Sequence, residues 1–124
     1  MVDVFVFGSN LAGRHGKGAA KEAYEKWGAL YGQGVGRHGN SYAIPTKDYI
    51  LRPLPLEKIK SYIELFKEYA FYHPDDIFRL TPIGCGLAGY KPEQIGPLFG
   101  KVPYNVKIPK EFKPFVKNTR NLLL

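Results

Sequence analysis

Residues 4–18 read Val4-Phe5-Val6-Phe7-Gly8-Ser9-Asn10-Leu11-Ala12-Gly13-Arg14-His15-Gly16-Lys17-Gly18, an apolar run that passes directly into a glycine-rich turn. Residues 78–90 repeat that order, with Phe78-Arg79-Leu80-Thr81-Pro82-Ile83 before Gly84-Cys85-Gly86-Leu87-Ala88-Gly89-Tyr90. Glycine allows positive φ and lets a ligand approach the main chain closely. A strand–turn–helix junction of this kind directs free N–H groups, and the positive end of the helix dipole, towards a bound anion. The two turns therefore predict a cleft for a phosphate-containing ligand.

The composition indicates a globular protein with a basic surface. At 124 residues, the chain is expected to form one domain over residues 1–124, with 117–124 as a basic tail ending in three leucines. The net charge of +7 favours polyanions, whether nucleic acid, nucleotides or acidic proteins, but a solvated basic surface explains it equally well. The cationic residues are scattered, which argues against a dedicated nucleic-acid module.

Cysteine content and hydropathy limit the kinds of bound group and the cellular location that we expect. The single cysteine excludes an intrachain disulfide, and it argues against a zinc site together with the irregular spacing of His15, His38 and His73. No cofactor is indicated. The sequence shows no basic leader and no apolar run of about 18 residues, so we expect a cytoplasmic protein without a membrane partner.

The order of predicted elements indicates an α/β fold. We predict strands at 2–7, 41–45, 77–83 and 104–108, with Pro45 ending the second strand. We predict helices at 17–30, from Pro55 to just before His73, and at 92–99. This alternation favours a three-layer α/β/α architecture with a mainly parallel sheet. Both glycine turns and Thr46-Lys47 then meet at the carboxyl edge of the sheet, where such folds bind ligands.

Two residues near this edge suggest chemistry. The amide of Asn10 can donate to and accept from a pair of sugar hydroxyls, although an asparagine that bonds its own turn is an equal alternative. Lys47 is a candidate nucleophilic amine towards a sugar C1 carbon, beside the polar neighbours Thr46 and Asp48. It is also one of 13 lysines on a basic surface.

Cys85 and two histidines are weaker candidates. Cys85 lacks the small residues that flank a nucleophile in a nucleophile elbow, since Ile83 and Leu87 occupy those positions. We interpret it as a small apolar side chain. His15 and His38 are each preceded or followed by glycine and are expected either to touch phosphate or sugar or to be exposed in loops without a role.

The order of these motifs resembles macrodomains, the ADP-ribose-binding α/β/α modules. The stretch from Ile83 to Tyr90 is similar to their diphosphate-binding loop. Residues 6–10 with Gly16-Lys17-Gly18-Ala19-Ala20 resemble their first strand, asparagine and glycine-rich helix entry. Residues 41–47 resemble the middle strand and lysine of the branch that contains terminal ADP-ribose glycohydrolases. The resemblance covers about residues 2–100.

The resemblance implies a ligand site built from both turns. It implies that Gly84, Cys85, Gly86, Leu87, Ala88 and Gly89 bind the diphosphate, and that Tyr90 stacks on or closes over the ribose. It further implies that Asn10 contacts the distal ribose and that Lys47 attacks it in an ADP-ribosylated protein or nucleic acid. The complete set of implied ligand-binding residues is Gly8, Ser9, Asn10, Gly16, Gly18, Thr46, Gly84, Cys85, Gly86, Leu87, Ala88, Gly89 and Tyr90.

Two departures from the family pattern leave the activity open. Ala88 occupies the position of the acidic residue that assists the lysine in glutamate-specific hydrolases, and Asp3 does not match the acidic residue that holds adenine. We therefore expect binding of ADP-ribose or a related nucleotide rather than turnover. A nucleic-acid-binding protein and a structural protein without enzymatic activity are the alternatives.

Overall fold

A computed structural model describes residues 2–120 as a mixed α/β fold around a mostly parallel sheet. The strands are β1 (Asp3–Asn10), β2 (Gly36–His38), β3 (Ser41–Lys47), β4 (Ile77–Leu80), β5 (Lys101–Pro103), β6 (Val106–Lys107) and β7 (Lys117–Thr119). The helices are α1 (Gly18–Lys26), α2 (Leu56–Phe71), α3 (Pro92–Phe99) and a 3₁₀ helix at Lys110–Phe112. The predicted α/β class with a mainly parallel sheet is confirmed.

The central sheet has five strands in the order β2-β3-β1-β4-β6. β1 lies between β3 and β4 and is parallel to both, β6 continues parallel to β4, and β2 is antiparallel to β3. A separate pair, β5 and β7, is parallel. Because β1, β3 and β4 run in the same direction, their carboxyl ends share one edge of the sheet.

Apolar side chains pack on both faces of this sheet. On one face, Val4 and Val6 of β1 join the main core with Ile59 and Phe66 of α2 and Ile95 of α3. On the other face, a smaller cluster contains Phe7 of β1, Ala43 of β3 and two alanines of α1, Ala20 and Ala23. The alternation along β1 therefore directs successive side chains to two different sets of helices.

Several element boundaries differ from the sequence prediction. β3 does not end at Pro45 but continues to Lys47, because Pro45 lies past the end of the β2 pairing and beside a register shift in β1. Sheets accept proline at such positions. β4 ends at Leu80 rather than Ile83, and the predicted last strand shortens to Val106–Lys107. The first helix ends at Lys26, one turn earlier than predicted.

The prediction that residues 117–124 form a tail is wrong for the first three of them. Lys117–Thr119 form β7 and pair with Lys101–Pro103 of β5, so this segment is part of the folded structure. The Lys117 N–H donates to Gly100 O at 2.9 Å, which anchors the strand. The expectation for residues 121–124 lies outside the described residues. Within residues 2–120, no helix is both long and apolar enough to span a membrane.

A third glycine-rich segment, residues 32–39, lies between the two turns in the sequence and supports the first turn through close backbone contact. A Cβ built on Gly34 would lie 2.0 Å from Asn10 O, so no side chain fits there. The Ser9 hydroxyl donates to Gly34 O, and the Gly32 N–H donates to Gly13 O at 3.0 Å. Residues 32–34 therefore hold the first turn in place from outside the sheet.

Candidate functional site

A cleft of about 930 Å³ opens at the carboxyl ends of β1, β3 and β4. Its walls come from both glycine turns, from the start of α1, from Thr46 and Lys47 at the end of β3, and from Glu111 in the 3₁₀ helix. The two turns are adjacent, since a Cβ built on Gly8 would lie 3.4 Å from Gly84 N. Several separate segments of the chain thus meet around one cavity, whose size is within the range of about 300–1,000 Å³ usual for small-molecule sites.

Most of the residues singled out in the sequence line this cleft. They are Gly8, Ser9, Asn10, Gly16, Gly18, Thr46, Lys47, Gly84, Cys85, Gly86, Leu87 and Ala88. Gly89 and Tyr90 are not among the lining residues. Tyr90 packs against the main core instead, and its hydroxyl donates to Leu54 O. Both the ring and the hydroxyl of Tyr90 are thereby engaged within the fold.

The second glycine turn presents main-chain donors that have no partner. Within residues 2–120, no oxygen accepts a hydrogen bond from the N–H groups of Gly84, Gly86, Leu87 or Ala88. The loop is closed by two other bonds, from Gly89 N to Gly86 O at 3.0 Å and from Tyr90 N to Gly84 O at 2.9 Å. The closed loop keeps its unpaired N–H groups in place for an acceptor.

Gly84 is fixed as glycine by both conformation and packing. Its φ is +75°, and a Cβ there would lie 3.0 Å from Ile95 Cδ1 of α3. By contrast, a Cβ on Gly86 would meet no atom within 4 Å. Gly84 therefore serves the packing of the loop on α3, whereas Gly86 lines the cleft and has open space where a side chain would stand.

The start of α1 supplies a second set of donors to the same cleft. Lys17 occupies the N-cap with φ −146° and ψ 156°, and its side chain makes no capping bond. The first turn of α1 contains no acidic residue, and Gly18, Ala19 and Ala20 all line the cleft. Uncapped N–H groups and the positive end of the helix dipole attract an anion.

The charged side chains around the cleft are mostly positive. Arg14, Lys17 and Lys47 line it, against a single described carboxylate, Glu111. The Lys47 ammonium forms no ion pair or side-chain hydrogen bond with any other residue in the described range 2–120. The positive side chains and the unpaired N–H groups thus both favour an anionic ligand.

The polar side chains of the first strand end are engaged in the fold. Asn10 Nδ2 donates to Arg14 O and Asn10 Oδ1 accepts from Arg14 N, each at 2.9 Å. This is the alternative in which Asn10 bonds its own turn, and it leaves one amide hydrogen and one lone pair. The buried Ser9 and Thr46 hydroxyls donate to Gly34 O and Ser9 O rather than towards the cleft.

Asp48 organises a short loop beside Lys47. Its carboxylate accepts from the N–H groups of Ile50 and Arg52 and from Arg52 Nε, at 2.9 to 3.0 Å. These bonds hold the pKa of Asp48 below its usual value, and the hydrogen bond from the Arg52 N–H contributes most. The loop holds Leu51 at φ +66° on the cleft wall. Asp48 is therefore a structural residue of the rim, since its acceptors are occupied.

Cys85 has the character of an apolar side chain. Burial, and then the charges of Glu111 and Glu93, raise the pKa of its thiol above the usual 9.0. It packs against the main core while lining the cleft. A protonated thiol at neutral pH is a poor nucleophile, in agreement with the sequence interpretation.

The two glycine-flanked histidines differ from expectation. His15 is buried, with 1% of its surface exposed, and its Nε2 lies 2.9 Å from Leu30 O while its ring meets Phe7 edge-on at 5.4 Å. It is therefore neither an exposed loop residue nor part of the cleft lining. His38 is half-buried, outside the cleft, with Nε2 3.2 Å from Val35 O.

Sequence reasoning missed Tyr31, Leu51 and Glu111 as cleft residues. Tyr31 is 52% exposed and its ring stands 4.6 Å from that of Tyr24, in an edge-on arrangement. It follows the predicted first helix in a segment without periodicity, so no local signal marked it. Glu111 lies beyond the part of the chain that resembled a known family.

Comparison of the chain with protein-family models, curated proteins and solved structures returned no significant match. The residues from 2 to 120 contain no cluster of three or more His, Cys, Asp or Glu side chains that could hold a metal ion. The functional assignment therefore depends on the geometry of the cleft itself.

Proposed function

We propose that the cleft binds ADP-ribose or a related nucleotide through its diphosphate. The observation that carries this proposal is the pair of unpaired donor sets, in the loop from Gly84 to Ala88 and at the start of α1, on one cavity of about 930 Å³. A diphosphate offers acceptor oxygens on two adjacent phosphorus atoms, so it can use two donor sets at once. Helices pack on both faces of the mostly parallel sheet, and folds of this kind bind ligands at the carboxyl edge of the sheet, where the cleft lies.

Particular roles follow for the lining residues. The N–H groups of Gly86, Leu87 and Ala88 bind one phosphate, and those of the first turn of α1 bind the other. Asn10 uses its remaining amide hydrogen and lone pair on the distal ribose, next to Gly8 and Gly16. The exposed ring of Tyr31 offers a surface for stacking a base or ribose.

Calorimetric titration tests this binding. We expect ADP-ribose to bind more tightly than ribose 5-phosphate, because the latter lacks the second phosphate. NAD and ADP also contain a diphosphate, so their affinities relative to ADP-ribose measure how much the groups outside the diphosphate contribute to binding. Lys58→Gln, which removes an exposed lysine on α2, is the control and should bind as the wild type does. Absence of heat with every one of these ligands would contradict the proposal.

We propose binding without turnover as the main activity, with removal of ADP-ribose from modified protein or nucleic acid as the second candidate. In the second, the deprotonated Lys47 amine bonds to C1 of the distal ribose as the bond from C1 to the leaving group breaks, and water later displaces the amine. The leaving group needs a proton, and Ala88 supplies none. In this candidate Glu111, the described carboxyl group on the cleft wall, accepts the proton that the Lys47 ammonium loses and then delivers it to the leaving group.

Lys47→Ala separates the two candidates. If hydrolysis occurs, the substitution should abolish release of ADP-ribose from a modified protein or oligonucleotide, while Lys58→Ala leaves release unchanged. Wild-type protein that binds ADP-ribose but releases none supports binding alone. Release that is unaffected by Lys47→Ala would eliminate Lys47 as the nucleophile.

A purely structural role for the glycine turns has less support. That alternative expects packed side chains to fill the edge of the sheet near Gly84 and Gly86. Instead, Gly86 has open space beside it, and the cleft joins it to the start of α1.

A further inference from the structure

A second concavity lies beside β4 and β6, at the end of the sheet opposite to β2. Its volume is about 520 Å³. We call it the basic pocket, and its polar lining consists of Arg79, Tyr104, Lys107, Lys113, Lys117 and Asn118. None of these residues lines the cleft of the proposed function.

The basic pocket exists because α1 covers only part of its face of the sheet. Phe5 of β1, Arg79 of β4 and Lys107 of β6 stand in one row of paired residues and so share a face. Phe5 packs against the cluster under α1, whereas Arg79 and Lys107 remain exposed. Their neighbours Phe78 and Val106 point to the opposite face and belong to the main core.

Charge is concentrated around this pocket. Residues 101–120 contain six of the 18 Lys and Arg residues but only Glu111 among the acids. Arg79 Nε pairs with Asp3 at 3.0 Å, while Lys107, Lys113 and Lys117 form no ion pair within the described chain. The three pocket lysines therefore lie in one basic segment of the chain, the fold adds Arg79 from β4, and the charge of the lysines is not balanced by ion pairs among the described residues.

An exposed aromatic ring stands at the same pocket. Tyr104 is 55% exposed, and the Arg120 guanidinium lies over its ring at 5.8 Å from the centroid. Asn118 Nδ2 donates to Pro103 O and to Val106 O, each at 2.9 Å, so both ends of the turn that carries Tyr104 are held. The ring is thus presented on a fixed turn beside the lysines.

We propose that the basic pocket binds single-stranded nucleic acid, with Lys107, Lys113 and Lys117 on backbone phosphates and Tyr104 stacked on a base. Single strands are bound by this combination of a cationic groove and an exposed aromatic ring. A duplex offers phosphates to the lysines, but its bases are stacked on each other inside the helix and leave none for Tyr104. An acidic protein or a lipid surface supplies charge but no planar base for Tyr104. The proposal is independent of the nucleotide site at the cleft.

The test is fluorescence anisotropy with a labelled oligo(dT) of about ten nucleotides, measured over a range of salt concentrations. Lys107→Gln/Lys113→Gln removes two charges from the pocket, and Lys58→Gln/Lys60→Gln removes two exposed charges from α2 as the matched control. We expect the pocket variant to lower the slope of log affinity against log salt by about 1.4, at about 0.7 per phosphate contact. Tyr104→Ala should weaken binding at least about fivefold.

Each outcome decides the proposal. It is supported if the pocket variant and Tyr104→Ala lose affinity while the control keeps it, with thermal melting showing all variants folded. Equal losses in pocket variant and control would mean diffuse charge attraction and overturn it. So would equal binding of poly-glutamate or phosphatidylserine vesicles without any effect of Tyr104→Ala. Displacement of the oligonucleotide by saturating ADP-ribose would move its site to the cleft, and absence of binding at low salt would also overturn it.

Discussion

At the scale of single residues, two glycines of this chain differ in what surrounds them. Gly34 is required by packing, since a Cβ there would lie 2.0 Å from Asn10 O. Gly86 has no neighbour within 4 Å on the side where a Cβ would stand, and it lines the cleft. Gly34 therefore maintains the fold, whereas Gly86 keeps the proposed diphosphate site open.

This difference predicts opposite effects for two matched substitutions. Gly34→Ala should lower the free energy of unfolding by about 3 kcal/mol or more, because the main chain must move to admit the methyl group. Gly86→Ala should leave that free energy almost unchanged but weaken ADP-ribose binding, because the methyl group intrudes where a phosphate approaches. Urea unfolding and calorimetry of both variants measure these effects. Equal loss of stability in the two variants would contradict this difference.

At the scale of elements, the sequence was informative where periodicity or glycine placement was strong. The apolar stripe of α2, the strands that precede each glycine turn and the shared edge of β1, β3 and β4 could all be predicted. The pairing of β2 with β3 and of β5 with β7 could not, because β2, β5 and β7 contain only three residues each and show no clear strand pattern. Pro45 misled the prediction, since its tolerance in β3 depends on where β2 ends.

The candidate site was predictable to a similar extent. The strand ends and glycine turns brought together the main-chain donors and Lys47. The engagement of Asn10 by Arg14, the burial of His15 and the arrival of Glu111 at the cleft are properties of tertiary packing, which no local pattern encodes.

The uncapped start of α1 makes a prediction about an element. Lys17→Ser should raise the free energy of unfolding by about 0.5–2 kcal/mol, because a serine at the N-cap satisfies an N–H group of the first turn. The same bond should weaken ADP-ribose binding by competing for that donor. Lys17→Gln removes the charge without a good cap and serves as the control. If Lys17→Ser binds ADP-ribose as tightly as Lys17→Gln, the first turn of α1 is not part of the site.

At the scale of the whole molecule, the free energy of unfolding at alkaline pH depends on a tyrosine buried in the core. Tyr42 of β3 is buried, and its ring lies 5.2 Å from those of Phe66 and Tyr69 of α2. Burial, with smaller contributions from Tyr69 and Glu68, raises the pKa of Tyr42 from 10.0 to about 12. The folded protein therefore retains this proton after the unfolded chain has lost it.

Because the pKa is higher in the folded state, the stability linked to Tyr42 is fully present below pH 10 and is lost as pH rises towards 12. In that window the loss is about 1.4 kcal/mol per pH unit. Tyr42→Phe removes the titrating group, so its free energy of unfolding should fall less steeply than that of the wild type. Urea unfolding at pH 9 and pH 11 measures the difference. Parallel declines in the two proteins would contradict the burial of this hydroxyl.

The two binding surfaces that we propose differ in character. The cleft offers mainly main-chain donors to one small ligand, so its affinity should depend only weakly on salt. The basic pocket offers lysines to a polyelectrolyte, so its affinity should fall steeply with salt. The net charge of +7 is therefore not spread evenly along the chain, because residues 101–120 contain six of the cationic residues and one acidic residue.

The most direct test of the central claim is a titration of ¹⁵N-labelled protein with ADP-ribose, followed through its amide resonances. We predict the largest shifts at the N–H groups of Gly84, Gly86, Leu87 and Ala88 and at the first turn of α1, because these donors gain acceptors. Shifts confined to other parts of the chain, or no shifts at saturating ADP-ribose, would contradict the assignment of the cleft as a diphosphate site.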